Sequence, residues 1–176
     1  MKHCVLQDSS FLIATIDKSD IFHQDAVYVF KKLIENKNDL KIIVPSLVFY
    51  ETIVTLTKKG ITPAIIERKL WDFLYSSMIL NVSLLETNAF KMCKKIIRND
   101  ISRLKTQDFI IVNVGIEYEA QILTFDKDMR KRLDNIYSEV YYCSSIGNME
   151  DETPRFLKDL NEKLGKGEIN LDDIPF

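Results

Sequence analysis

Four acidic residues stand out by where they fall in the chain: Asp8, Glu51, Asp108 and Asp126. Asp8 follows the apolar run Cys4-Val5-Leu6, and Asp126 follows Ala120 to Thr124 in the same way. Taken singly, each has a plain structural reading, because an Asp at a strand-to-helix junction is ordinarily the N-cap of the helix. Glu51 is harder to place. Its helical neighbours are Leu47, Val48, Val54 and Thr55, so the spacing turns its carboxylate toward the core. A buried charge without a partner is costly. The partner is either a Lys or Arg in a salt bridge, or the site is a metal or catalytic one. Asp108 is expected in the first turn of a helix, where a carboxylate complements the helix dipole. Ile111 and Val112, three and four positions on, turn that face inward too. Four carboxylates brought together would repel, and could not all stay ionised without a cation. A hard divalent ion with oxygen ligands is the natural counter-charge, and Mg²⁺ suits it because it keeps waters for a phosphate substrate.

Little other chemistry is open to the chain. Among 176 residues there are only 5 Gly, 2 His and 3 Cys. There is no GxGxxG or GxxxxGK[ST] phosphate grip. His3 and His23 are too few for a multi-histidine zinc site. Cys4, Cys93 and Cys143 make no CxxC and read as thiols of a reducing compartment. No Cys/His or Ser/His arrangement suggests covalent catalysis. The formal net charge is −2, but it is segregated. Residues 91–105 carry six basic side chains against one acid, and residues 150–176 carry four basic against eight acidic.

The elements that must position the four acids follow from periodicity. Strands are predicted at Lys2–Gln7, Leu40–Val44, Met78–Val82, Ala120–Thr124 and 139–143. Helices are predicted from Ser9, over 21–36, from Pro45-Ser46 to Lys59, over 63–75, 86–98 and 107–119, and over Pro154–Leu164. Alternating strands and helices imply an α/β fold, a three-layer α/β/α sandwich with a mainly parallel sheet of about five strands. Ligands bind such sheets beyond the carboxyl ends of the strands, near a switch in strand order. If the first and fourth strands are neighbours, Asp8 and Asp126 share one edge. Residues 1–149 read as one domain and 150–176 as a helical extension and polar tail.

With these residues in place, the chain resembles PIN-domain ribonucleases, and most of all the VapC-type toxins of toxin–antitoxin pairs. CVLQDSSFLI resembles the first motif of that family, and VPSLVFYETIV its second, a helix carrying one inward Glu. TQDFIIVNVGIEYEAQILTFDKDM resembles the third and fourth, with seventeen residues between Asp108 and Asp126. The resemblance covers about 1–146. It implies that Asp8, Glu51, Asp108 and Asp126 are the catalytic and metal-binding set, with Asp128 as a variable extra acid. Ser10 and Thr124 match supporting hydroxyl positions. Met129 stands where the family commonly has an aromatic residue, a change of packing.

The resemblance further implies hydrolysis of RNA with Mg²⁺ or Mn²⁺ as cofactor, an antitoxin partner and a homodimer. Lys127, Arg130, Lys131 and Arg132 follow Asp126 directly and are candidates for RNA phosphate contacts; their other reading is a solvated face. Two alternative functions stay open: a metal phosphohydrolase acting on DNA or small phosphate esters, and a non-catalytic RNA-binding or interaction module on the same fold. Asp8 interrupts any apolar stretch a signal peptide would need, and the Ile42–Leu56 stretch is too short to span a bilayer. The expectation is a cytoplasmic protein with no membrane partner.

Overall fold

The computed structural model describes residues 3–35, 40–77, 80–82, 104–133 and 136–143. Five strands form one parallel sheet: β1 (His3–Gln7), β2 (Leu40–Pro45), β3 (Leu80–Val82), β4 (Gln121–Thr124) and β5 (Val140–Tyr142), in the order β3-β2-β1-β4-β5. Val5 and Leu6 of β1, Ile42 to Val44 of β2 and Ile122 and Leu123 of β4 are all buried. Continuous apolar runs of this kind mark strands covered on both faces.

Six helices are described: α1 (Ser9–Ile16), α2 (His23–Glu35), α3 (Ser46–Lys58), α4 (Pro63–Ser77), α5 (Thr106–Glu117) and α6 (Lys127–Leu133). The chain moves outward from β1 to β2 to β3, then returns to place β4 on the other side of β1 and β5 beyond it. Right-handed crossovers running in opposite directions across a sheet put their helices on opposite faces. So α1 to α4 cover one face and α5 and α6 the other, giving three layers. The change of direction falls between β1 and β4, where Leu6 pairs with Ile122 and Gln7 with Leu123.

Local chemistry agrees with these boundaries. Helix α3 is capped at its C-terminus by Lys59, and Gly60 follows at φ +82, a left-handed conformation that glycine adopts without strain. Gly115 of α5 allows a close helix–strand approach: a Cβ there would lie 2.8 Å from Ile122 Cδ1. Lys59 donates to Asp17 at 2.8 Å and to Asp20 at 3.1 Å, tying the end of α3 to the turn after α1.

One expectation needs correction. Glu51 is not turned into the core. Helix α3 buries Val48, Thr52 and Leu56, a stripe repeating every four residues, and Glu51 lies beside that stripe, half-buried. Val54, one of its apolar neighbours along the helix, is 51% exposed. The predicted helices over 86–98 and Pro154–Leu164 lie outside the described residues, as does the tail.

Candidate active site

In a parallel sheet crossed by right-handed connections, helices run back against the strands, so their N-termini gather at the carboxyl edge. Asp8 precedes α1, Glu51 lies in the second turn of α3, Asp108 in the first turn of α5, and Asp126 precedes α6. Topology alone therefore brings four acids from four elements to one edge, near the positive ends of four helix dipoles.

Asp8 is the most fully enclosed. Its residue is 3% exposed, and donors surround its carboxylate. Oδ1 accepts from the Phe11 amide at 2.9 Å and from Ser10 Oγ at 2.8 Å, and Oδ2 accepts from Thr124 Oγ1 at 2.6 Å. The Phe11 bond is the N-cap of α1, so the capping reading is correct here. The hydroxyls add a second function. Phe125 N–H donates to Ser10 Oγ at 2.7 Å, and Asp126 N–H donates to Thr124 Oγ1 at 2.9 Å. Each hydroxyl thus accepts from the loop after β4 and directs its own proton at Asp8. The loop is also gripped by aromatic stacking, with Phe125 between Phe11 (5.6 Å) and Phe22 (5.0 Å). Burial pushes the Asp8 carboxyl up to about 6; Thr124, Phe11 and Ser10 pull against that rise, and the nearby Asp126 charge adds to it.

Asp126 also caps its helix. Its Oδ1 accepts from the amides of Asp128 and Met129, both at 2.8 Å. Its Oδ2 faces Arg132, at 3.6 Å. Asp128 is exposed on the first turn of α6. Glu51 takes a hydrogen bond from Ser9. Burial and the charge of Asp108 raise its pKa, and the Ser9 bond and Lys105 lower it.

Asp108 is buried, at 6% exposure, and its partner is one that the sequence pattern does not reveal. Arg132 Nε donates to its Oδ2 at 3.0 Å, and Nη2 lies 2.8 Å from the same oxygen. Arg132, expected among the RNA phosphate contacts with its basic neighbours, is here paired with an acid of the site. Its side chain is 19% exposed and turned into the acid set, because the last turn of α6 lies across from the first turn of α5. Lys127 and Lys131 are exposed, and Arg130 is half-buried. The sequence signal for Arg132 is slight: a basic residue six positions after Asp126, on the same short helix.

Among the described residues, no group of three or more His, Cys, Asp or Glu side chains stands close enough together to hold a metal ion as it is. The donor set nevertheless fits a hard cation in its chemistry. It is all carboxylate and hydroxyl oxygen, and two pairs, Asp8 with Asp126 and Glu51 with Asp108, raise the pKa of one member by repulsion.

The PIN domain family model matches residues 5–134. No curated protein matches the chain by sequence. Among solved structures, the chain is similar to VapC20 of Mycobacterium tuberculosis, described as a sarcin-ricin loop cleaving toxin, with 17% identity and a TM-score of 0.54 over 73% of this chain and 94% of that one. It is also similar to VapBC2 of Rickettsia felis bound to a DNA fragment from their promoter, with 14% identity and a TM-score of 0.53 over 73% of this chain and 92% of that one. At such identities the likeness is one of fold.

Proposed function

Since the chain belongs to the PIN domain family, we propose that it is a metal-dependent endoribonuclease, acting as the toxin of a toxin–antitoxin pair. The observation that carries this reading is the placement of Asp8, Glu51, Asp108 and Asp126 at one sheet edge, with Asp8 buried and its carboxyl raised to about 6. The fold likeness to a toxin described as cleaving the sarcin-ricin loop supports RNA as substrate, and the likeness to VapBC2 supports an antitoxin partner.

Asp8, Glu51, Asp108 and Asp126 would hold one or two Mg²⁺ or Mn²⁺ ions. A divalent cation supplies charge neutralisation at the phosphate and a more acidic attacking water. The protein's own groups do the rest. Ser10 and Thr124 fix the orientation of Asp8 and join it to the loop that carries Asp126. Glu51, half-buried and hydrogen-bonded by Ser9, adds its charge to that of Asp108 in the set. Water adds to phosphorus and gives up a proton to solvent, the bond to the 3′ oxygen breaks and that oxygen takes up a proton from solvent, and a 3′-hydroxyl and a 5′-phosphate result. The exposed Lys127 and Lys131 beside Asp126 would meet backbone phosphates without reading bases. Among the described residues no helix is long and apolar enough to cross a membrane. A cytoplasmic homodimer completes the reading.

The test is a substrate panel at fixed Mn²⁺: RNA, single-stranded DNA and a small aryl phosphate, each with and without EDTA. We expect cleavage of RNA alone, abolished by EDTA. Turnover confined to DNA or to the small ester would replace this reading with the phosphohydrolase. RNA binding that survives EDTA with no cleavage would replace it with the binding module.

A further inference from the structure

We propose that Arg132 is the built-in counter-ion of the acid set: it holds Asp108 and Asp126 together when no metal is bound, and competes with the metal for them. The proposal rests on the metal site proposed above and makes Arg132 a positioning residue for it. Two observations carry it. First, the guanidinium reaches two acids on different elements, Asp108 of α5 at 2.8 Å and Asp126 after β4 at 3.6 Å. Carboxylates gathered at one edge need positive charge nearby, and Arg132 supplies it from within the chain. Second, the pairing is incomplete. Both close approaches fall on one oxygen, Asp108 Oδ2, and Nη2 lacks a well-directed hydrogen bond among the described residues. A two-oxygen fork, the strong form of this pair, is not made. A divalent ion can therefore displace the guanidinium, whereas a closed bidentate pair would resist.

Wild type, Arg132→Gln and Arg132→Lys, each stripped with EDTA and dialysed free of it, would be titrated with Mn²⁺ by calorimetry and melted without metal. We expect Arg132→Gln to bind Mn²⁺ about tenfold more tightly than wild type and to melt at a lower temperature without metal. Arg132→Lys keeps the charge but cannot reach both acids as the guanidinium does, and should fall between them; it carries the test if the Gln variant does not fold. A purely architectural Arg would predict the opposite sign, because its removal would disorder the acids and weaken metal binding. Equal or weaker Mn²⁺ binding in the variants, with clear binding by wild type, overturns the role of Arg132 alone. Absence of Mn²⁺ binding in all three overturns the metal site and this inference with it.

Discussion

Thr124 Oγ1 donates to Asp8 Oδ2 at 2.6 Å, a bond between residues 116 positions apart that joins the carboxyl ends of β1 and β4. The same hydroxyl accepts the Asp126 amide, so one side chain fixes both acids of the switch point. Thr124→Val keeps the shape and removes the hydroxyl. It leaves a buried acceptor on Asp8 and the Asp126 N–H without this partner. We expect a loss of about 2 kcal/mol in stability. Cleavage should fall at least about tenfold even where the protein is fully folded. Denaturant melts and rates at saturating Mn²⁺ measure the two effects.

Titration of Asp8 predicts a pH dependence of stability. Its carboxyl is raised from 3.8 to about 6, so as pH rises the folded protein keeps a proton that the unfolded chain has already released. Stability from this group is present below about pH 4 and is lost as pH rises through about 6, a change of about 3 kcal/mol at most. In chelator, Asp8→Asn should flatten that slope between pH 4 and 6. An identical pH profile in wild type and variant would contradict the burial of this charge.

Asp126 combines a cap with a charge, and Asn separates the two. The amide oxygen of Asn can still accept from Asp128 and Met129, and Asn caps about as well as Asp. The variant also removes the repulsion against Asp8, and it gives up only the long 3.6 Å approach to Arg132, whose nearer partner is Asp108 at 2.8 Å. Asp126→Asn should therefore abolish cleavage, hold or raise the melting temperature in chelator, and gain less from Mn²⁺ than wild type does. A large fall in melting temperature in chelator would mean that the negative charge serves the fold.

Much of this arrangement is legible in the sequence because parallel strands and helix stripes leave clear periodic signals. Val5-Leu6 and Ile122-Leu123 place Asp8 and Asp126 at strand ends, and a single condition, that β1 and β4 be neighbours, joins them. The family resemblance supplies the four acids as a set. Two features are out of reach for physical reasons. The rotation of α3 that leaves Glu51 half-buried depends on which stripe packs, and Val48, Thr52 and Leu56 win over Leu47 and Val54. The turn of Arg132 toward Asp108 depends on how two helices meet across 24 positions of sequence, which no local pattern reports.

The exposed lysines beside the site carry a prediction about salt. Lys127→Ala with Lys131→Ala should weaken RNA binding uniformly across sequences. It should also reduce the log–log salt slope by roughly one unit or less for each phosphate no longer neutralised. Binding measured from low to moderate salt checks this, and an unchanged slope returns both residues to the solvated surface.

The central claim is that the four acids act as one metal-dependent unit. The deciding measurement is the single-turnover rate of RNA cleavage by wild type and by Asp8→Ala, Glu51→Ala, Asp108→Ala and Asp126→Ala, each in Mn²⁺ and in EDTA, with folding verified by circular dichroism. We predict cleavage by wild type in Mn²⁺ only, and a loss of at least about a hundredfold in every folded variant. Undiminished cleavage by wild type in EDTA, or by any one folded variant in Mn²⁺, would contradict it.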